Sequence, residues 1–217
     1  LRADYPIALV LVADILEDDE RYADSNAIYA KVDKASPFRP AADLSRARNF
    51  NSLKLNDEAI ALYRDIASRR AHDPQPMTQL GNLLRRDERW DEAIEAYSAA
   101  IGRVGILEKR HWRMLYARAI AMERAKRWPE AEKDFLKALE FEPEQPFVLN
   151  YLGYSWIDQG MHLERAQDMI RRAVELRPND GYIIDSLGWG YYRIGKYAPA
   201  VKELERIKNE LRLPGIQ

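Results

Sequence analysis

Large apolar side chains recur along this chain three, four and seven residues apart, a spacing that places them on one face of a helix. Short polar stretches, such as residues 17–20, 86–89 and 159–162, interrupt the pattern. Pro129 and Pro199 stand where the helix after such a stretch would begin. Proline is tolerated in a first turn because no backbone N–H is needed there. The pattern therefore predicts pairs of helices joined by tight turns.

The helix pairs repeat about every 34 residues. This period divides the chain, as a single array over residues 1–217, into six units at 6–39, 40–73, 74–107, 112–145, 146–180 and 181–214. Residues 108–111 are an insertion, and the fifth unit has one extra residue near Met161. Two helices in each unit predict about twelve helices in all.

Three positions support this division when they are counted from the first residue of each unit, passing over the extra residue of the fifth. The eighth is always small: Ala13, Ala47, Gly81, Ala119, Gly153 and Gly188. The twentieth is also small: Ser25, Ala59, Ala93, Ala131, Ala166 and Ala200. The twenty-fourth is large: Tyr29, Tyr63, Tyr97, Phe135, Ile170 and Leu204. Small residues allow two helices to approach closely, the large residue fills the adjacent space, and neighbouring units must stack to bury their outer faces.

These residues resemble the tetratricopeptide repeat (TPR), a 34-residue helix–turn–helix unit. The sixth, fourth and fifth units carry the fullest matches: Leu187, Gly188, Tyr191, Gly195, Tyr197 and Ala200; Leu115, Trp128, Ala131, Phe135, Ala138 and Pro143; Leu149, Leu152, Gly153, Trp156, Gly160, Ala166, Ala173 and Pro178. The resemblance implies an all-α, right-handed superhelical solenoid of about six repeats.

Residues 132–197 also resemble a set of bacterial, mostly proteobacterial, TPR proteins, many of which carry a secretion signal. That resemblance slightly favours an exported location, periplasmic or envelope-associated, over a cytoplasmic one. The chain begins at Leu1 without a basic leader, so we expect it to be a piece of a longer or processed polypeptide.

Composition narrows the classes of function. The net charge is −1, whereas nucleic-acid binders usually carry a basic excess, so no nucleic-acid partner is expected. No apolar run approaches the ~20 residues of a membrane-spanning helix. The chain has no cysteine, which excludes disulfides and thiolate metal sites.

Little in the sequence indicates catalysis. His72, His111 and His162 are far apart and none has a histidine partner four residues away. The acidic pairs lie in turns and at helix starts, where carboxylates favour the helix dipole. Neither a serine-nucleophile motif nor a lysine-containing phosphate loop is present. We therefore predict no enzyme activity, no cofactor and no metal site.

The stretch from Asp185 to Gly195 contains three glycines and raises the question of a phosphate-binding loop. It does not follow a strand, so that interpretation lacks its structural context. Gly188 belongs to the small eighth position. Gly195 falls in the turn between two helices, where a positive φ is often needed. Gly190 is not explained by the repeat pattern and could admit close approach of a neighbour or ligand.

The TPR resemblance implies that the first helices of the repeats line a groove that holds a peptide or helix of a partner. The middle units contribute mainly basic candidates: Arg48, Asn82, Arg85, Arg86, Arg113, Tyr116 and Arg124. The last two units contribute mainly aromatic ones: Phe147, Asn150, Tyr154, Tyr182, Asp185, Trp189 and Tyr192. Arginine pairs carboxylates and aromatic residues anchor interfaces, which predicts a partner with an acidic element followed by apolar side chains. Two alternatives stay open: the arginines are a solvated face, and the aromatic residues pack on a further repeat.

The predicted function is a protein-binding scaffold. One alternative is the docking or assembly region of a larger enzyme or envelope complex. Another is a homo-oligomer formed through the C-terminal end, because no polar capping helix follows the sixth unit and arrays normally need one. Asp43, Arg46 and Asn56 occupy usually apolar positions of the second unit, which is expected to be the least stable or to turn these groups towards a partner.

Overall fold

The computed structural model describes the backbone of residues 5–210 and the side chains of residues 5–207. Within this range the chain forms twelve α-helices and one 3₁₀ turn at Lys109–His111, and it has no strand. The helices are α1 (Pro6–Asp18), α2 (Tyr22–Tyr29), α3 (Arg39–Ser52), α4 (Asn56–Arg69), α5 (Gln75–Arg86), α6 (Trp90–Val104), α7 (Trp112–Arg124), α8 (Trp128–Phe141), α9 (Pro146–Asp158), α10 (Leu163–Leu176), α11 (Gly181–Arg193) and α12 (Tyr197–Glu210). The all-α prediction is confirmed. The predicted end of the sixth unit at residue 214 lies outside the described residues.

The chain divides into two compact units. The first comprises the residues up to Leu107 together with Ile120–Arg127. The second comprises Glu108–Ala119 together with the residues from Trp128 onwards. Helix α7 therefore contributes its beginning to the second unit and its end to the first.

The turn inside each helix pair closes in the same way. The residue just past the first helix always has a positive φ: Glu20 (59°), Lys54 (62°), Glu88 (57°), Lys126 (63°), Gly160 (70°) and Gly195 (78°). The next amide donates to the carbonyl five residues back, as Lys196 does to Tyr191 at 2.9 Å. This is the Schellman arrangement, which satisfies the last carbonyls of the helix. The positive φ expected at Gly195 is confirmed.

The small and large positions pack as the sequence predicts. All twelve residues at the eighth and twentieth positions are buried. At all three glycines of the eighth position the twenty-fourth residue fills the adjacent space: a Cβ on Gly81 would lie 2.8 Å from the Tyr97 ring, one on Gly153 2.8 Å from Ile170, and one on Gly188 2.9 Å from Leu204. Tyr97 and Ile170 are fully buried, whereas Leu204 is 43% exposed.

Two sequence features find their explanation in packing. Gly190 contacts α9, since a Cβ there would lie 2.9 Å from Cδ1 of Ile157. Asp43 is 1% exposed, so the expectation that it turns towards a partner is wrong. Its carboxylate instead accepts hydrogen bonds from Arg46 of α3 at 3.4 Å and from Arg69 of α4 at 3.2 Å. It also forms an ion pair with Arg39 of α3, whose Nε lies 2.9 Å from Oδ1.

Candidate partner-binding site

The second unit carries a cavity of about 560 Å³ beside its last helix pair. The lining residues come from three helices: Tyr154 of α9; Asp185, Gly188, Trp189 and Tyr192 of α11; and Tyr197, Ala200, Val201 and Leu204 of α12. Four of the candidate residues, Tyr154, Asp185, Trp189 and Tyr192, are therefore brought together here.

Helix periodicity explains why these side chains converge. On α11 the lining residues begin at Asp185 and recur three, four and seven positions later. On α12 they begin at Tyr197 and follow the same spacing. Residues so spaced share one helix face. Gly188 and Ala200 are the small residues on these two helix faces. They form an apolar floor to the cavity, and the larger side chains surround it.

Aromatic rings form the walls of the cavity. The Trp189 and Tyr192 rings stack with centroids 5.6 Å apart, and Tyr192 meets Tyr197 at 5.7 Å. Tyr192 is 54% and Tyr197 62% exposed. Large aromatic groups left this open in a contiguous patch are typical of interaction surfaces. No described residue covers this patch.

The charge of the cavity is negative. Asp185 is the charged residue of its lining, and it forms no ion pair within residues 5–207. Arg193 pairs with Asp158, with Nη1 3.1 Å from its Oδ1, and its guanidinium lies 5.6 Å from the centre of the Trp189 ring. Burial, followed by the negative charges of Asp158 and other neighbours including Asp185, raises the pKa of Tyr154, and Arg193 opposes this shift. The Tyr154 hydroxyl thus stays protonated at neutral pH and can donate.

The other C-terminal candidates do not line the cavity. Tyr182, at the start of α11, is 66% exposed, and Phe147 is 37% exposed beneath the Arg177 guanidinium, which lies 4.8 Å from its centroid. Asn150 is 2% exposed, so its side chain is not available to a partner and its predicted placement in the groove is wrong.

Tyr116 takes part in internal packing of the second unit. Its ring lies 6.2 Å from Trp112, 6.0 Å from Phe135 and 6.2 Å from Tyr151, measured between centroids. Phe135 is fully buried, and Tyr116 is half-buried. The side chain therefore contributes mainly to an aromatic cluster.

Three candidates gather at the end of α5 in the first unit. The Tyr97 hydroxyl donates to Oδ1 of Asn82 at 2.8 Å and accepts from Nε of Arg85 at 3.4 Å. Arg86 is exposed and donates to the Asn82 carbonyl at 3.3 Å. Neither arginine forms an ion pair within the described side chains. Burial raises the pKa of Tyr97, while the two arginines act in the opposite direction.

The remaining basic candidates are Arg48, Arg124 and Arg113. Arg48 lies 3.6 Å from Oε1 of Glu17, and Arg124 lies 3.6 Å from Glu123 on its own helix. Both belong to the first unit, as do Arg85 and Arg86. Arg113 belongs to the second unit, is exposed, and places its guanidinium 5.4 Å from the Trp112 ring centroid. The basic candidates are thus divided between the two units.

Sequence reasoning misses the α12 wall of the cavity. The groove is predicted from first helices alone, which leaves out Tyr197, Val201 and Leu204. A signal is present, because Leu204 occupies the large twenty-fourth position and no unit among the described residues follows it. In the last described helix pair, the second helix exposes the large twenty-fourth residue, which the earlier pairs bury.

Within residues 5–207 no group of three or more His, Asp or Glu side chains is placed to hold a metal ion. Among the helices described, none has the length and apolar character that crossing a membrane requires.

Comparison with known proteins places these observations in a family context. The tetratricopeptide repeat family model matches residues 78–146. No curated protein matches the sequence. PilF of Pseudomonas aeruginosa is similar in structure, with 14% identity, 97% of this chain and 93% of that chain covered, and a TM-score of 0.77.

Two further solved structures are similar. BtubC of P. vanneervenii has 22% identity, covers 93% of each chain and gives a TM-score of 0.76. YrrB, described as a TPR protein with an unusual peptide-binding site, has 14% identity, with 86% of this chain and 93% of that chain covered and a TM-score of 0.66. At these identities the likeness shows the fold, a helical solenoid of repeats.

Proposed function

We propose that this tetratricopeptide-repeat protein is a non-enzymatic scaffold that binds a peptide or helical segment of a partner protein. The observation that carries the proposal is the cavity of the second unit. Four of its lining side chains are candidates on sequence grounds, and its three tyrosine rings are exposed. YrrB, a structural neighbour, is described as having a peptide-binding site, which agrees with such a use of the fold.

The size and chemistry of the cavity suit a segment of polypeptide. Its volume of about 560 Å³ lies within the ~300–1,000 Å³ usual for specific binding sites and exceeds what one side chain fills. Trp189 and Tyr192 are of the residue types that most often dominate binding energy. Several consecutive side chains of a partner would therefore be held against the rings.

Partner capture tests this proposal. The full-length protein is used as bait in extracts of its native host, and captured proteins are quantified by mass spectrometry. Tyr192→Ala removes an exposed wall of the cavity, and we expect it to reduce capture of the specific partner about tenfold or more. Tyr5→Ala, which removes another exposed tyrosine, should leave capture unchanged. Equal capture by the wild type and Tyr192→Ala would contradict the proposal.

An acidic element in the partner is a further part of the proposal. It is supported by Arg85, Arg86 and Arg113, which form no ion pair within the described residues. A guanidinium group without an ion-pair partner can bind a carboxylate of another protein through two hydrogen bonds. Replacing all three by alanine should weaken capture with little change in the melting temperature, and unchanged capture would remove the acidic element from the account.

Self-association is a second candidate, favoured by an exposed apolar face on α1. Ile7, Leu11 and Ile15 are 39%, 53% and 61% exposed and lie four residues apart on one side of the helix. A second copy could cover this face or the C-terminal cavity. Light scattering would then give a mass that rises with concentration, and Leu11→Glu would restore the monomer.

The alternative role as a docking region of a larger enzyme or envelope complex predicts additional domains in the full-length gene product.

A further inference from the structure

We propose that the cavity of the second unit selects a partner segment that carries a basic side chain, lysine or arginine, flanked by apolar residues. This inference rests on the proposed function, because it assumes that the cavity is a docking surface. It adds the charge of the segment that docks there, which differs from the acidic element expected at the arginines of α5 and α7.

The first reason is an unneutralised carboxylate. Asp185 lines the cavity, is exposed, and has no cationic partner among the described residues. The neighbouring Asp158 is paired with Arg193, whose Nη2 also donates to the Asp158 carbonyl at 3.0 Å. Arg193 is therefore committed to Asp158, and the charge of Asp185 remains for a partner to complement.

The second reason is the aromatic wall. Tyr154, Trp189, Tyr192 and Tyr197 surround the same space as Asp185. The faces of such rings carry negative potential and attract ammonium and guanidinium groups. The Arg193 guanidinium already lies 5.6 Å from the Trp189 ring centroid, so this wall accepts a cation within the chain itself.

The third reason is the apolar floor. Gly188, Ala200, Val201 and Leu204 offer aliphatic surface to the methylene stem of lysine or arginine, while the charged head reaches Asp185. A purely apolar segment would desolvate the Asp185 carboxylate without compensation. An acidic segment would meet both that charge and the electron-rich ring faces. A basic residue between apolar ones satisfies all three parts of the lining.

Charge also distinguishes a segment of another protein from helix α1 of a second copy. Helix α1 has the exposed apolar face that a partner segment needs, but its sequence, PIALVLVADILED, contains acidic residues and neither lysine nor arginine. Its carboxylates would add to the negative charge of Asp185. Helix α1 of a second copy therefore fits the lining poorly, and we take a segment of another protein as the occupant.

Selection from a random peptide library tests the inference and does not require the partner protein itself. Phage-displayed peptides are panned against the full chain, and clones are kept only if they lose binding to Tyr192→Ala. Among these clones we expect lysine and arginine to be enriched over the input library. Synthetic peptides from the clones are then measured by fluorescence anisotropy. Changing their basic residue to glutamine, or Asp185→Asn in the protein, should weaken binding about fivefold to tenfold.

Controls distinguish the possible failures. Glu164→Gln removes another exposed carboxylate of the second unit, outside the cavity, and should leave binding unchanged. Clones that depend on Tyr192 but show no basic enrichment, or are enriched in acidic residues, would overturn this inference and leave the proposed function intact. If no Tyr192-dependent clone is recovered, the docking surface itself is refuted and the inference with it.

Discussion

Four residues with side chains adopt the left-handed conformation that ends the first helix of their pairs: Glu20, Lys54, Glu88 and Lys126. A side chain in this conformation costs roughly 1–2 kcal/mol because Cβ crowds the following carbonyl oxygen. Each of these residues is exposed and forms the same backbone hydrogen bonds as Gly160 and Gly195 do in their turns. The turn geometry is therefore imposed by the packing of the helix pair and not by the local residue.

Lys54→Gly should stabilise the protein by about 1 kcal/mol, because glycine adopts the required φ of 62° without strain. Lys133→Gly makes the same chemical change inside α8, on an exposed face with an ordinary helical backbone, and should destabilise by about 1 kcal/mol. Urea unfolding followed by circular dichroism measures both free energies. A loss of stability on Lys54→Gly would contradict this account of the turn.

The sequence identifies only part of these turns. Gly195 is predictable because glycine is the common residue at this position of a helix end. Glu20 and Lys54 give no comparable signal, since glutamate and lysine are also ordinary residues of helices and loops. Their conformation follows from contacts made by other residues of the pair, which a local pattern does not contain.

Close approach of helices within a pair is set by the eighth position. A Cβ on Gly153 would lie 2.8 Å from the Ala166 carbonyl oxygen, a backbone atom of α10 that cannot move independently. A Cβ on Gly188 would meet the side chain of Leu204 at 2.9 Å, which is 43% exposed and free to shift. The same substitution thus has different consequences in α9 and α11.

Gly153→Ala should destabilise the protein by about 2 kcal/mol, because α9 and α10 must separate to admit the methyl group. Gly188→Ala should change stability by less than about 1 kcal/mol, since the better helix propensity of alanine offsets a small shift of Leu204. The comparison is made by urea unfolding of the two variants under identical conditions. Equal changes in the free energy of unfolding would contradict this account, because they would mean that the backbone of α10 shifts as easily as the side chain of Leu204.

The buried carboxylate of Asp43 joins α3 to α4 through arginines of both helices. Asp43→Ala should cost about 3 kcal/mol, because it leaves several guanidinium groups without their buried partner. Asp65→Ala removes the exposed carboxylate that pairs with the same Arg69, and should cost less than about 1 kcal/mol. Thermal unfolding distinguishes them. If the two variants have the same melting temperature, the Asp43 cluster does not stabilise this helix pair.

At the scale of the molecule, the periodic pattern predicts the helices well but the candidate site only in part. Tyr154, Asp185, Trp189 and Tyr192 follow from their positions on first helices, and all line the cavity. The position of Asn150 on a first helix also predicts that it lies in the groove, yet it is buried. Position within the repeat does not include the packing of neighbouring side chains. The contribution of α12 is missed for a related reason: it depends on the absence of a covering unit among the described residues.

The central claim is that this cavity receives a segment of another protein, and site-specific photocrosslinking tests it most directly. A photoreactive phenylalanine analogue replaces Tyr192 in the full-length protein in its native host, with Lys137, exposed on α8, as the control position. The account predicts a discrete crosslink at position 192, absent at 137, to a peptide of a different protein with a lysine or arginine beside apolar residues. No crosslink at 192, the same products at both positions, or a crosslink only to a second copy of this chain would contradict it.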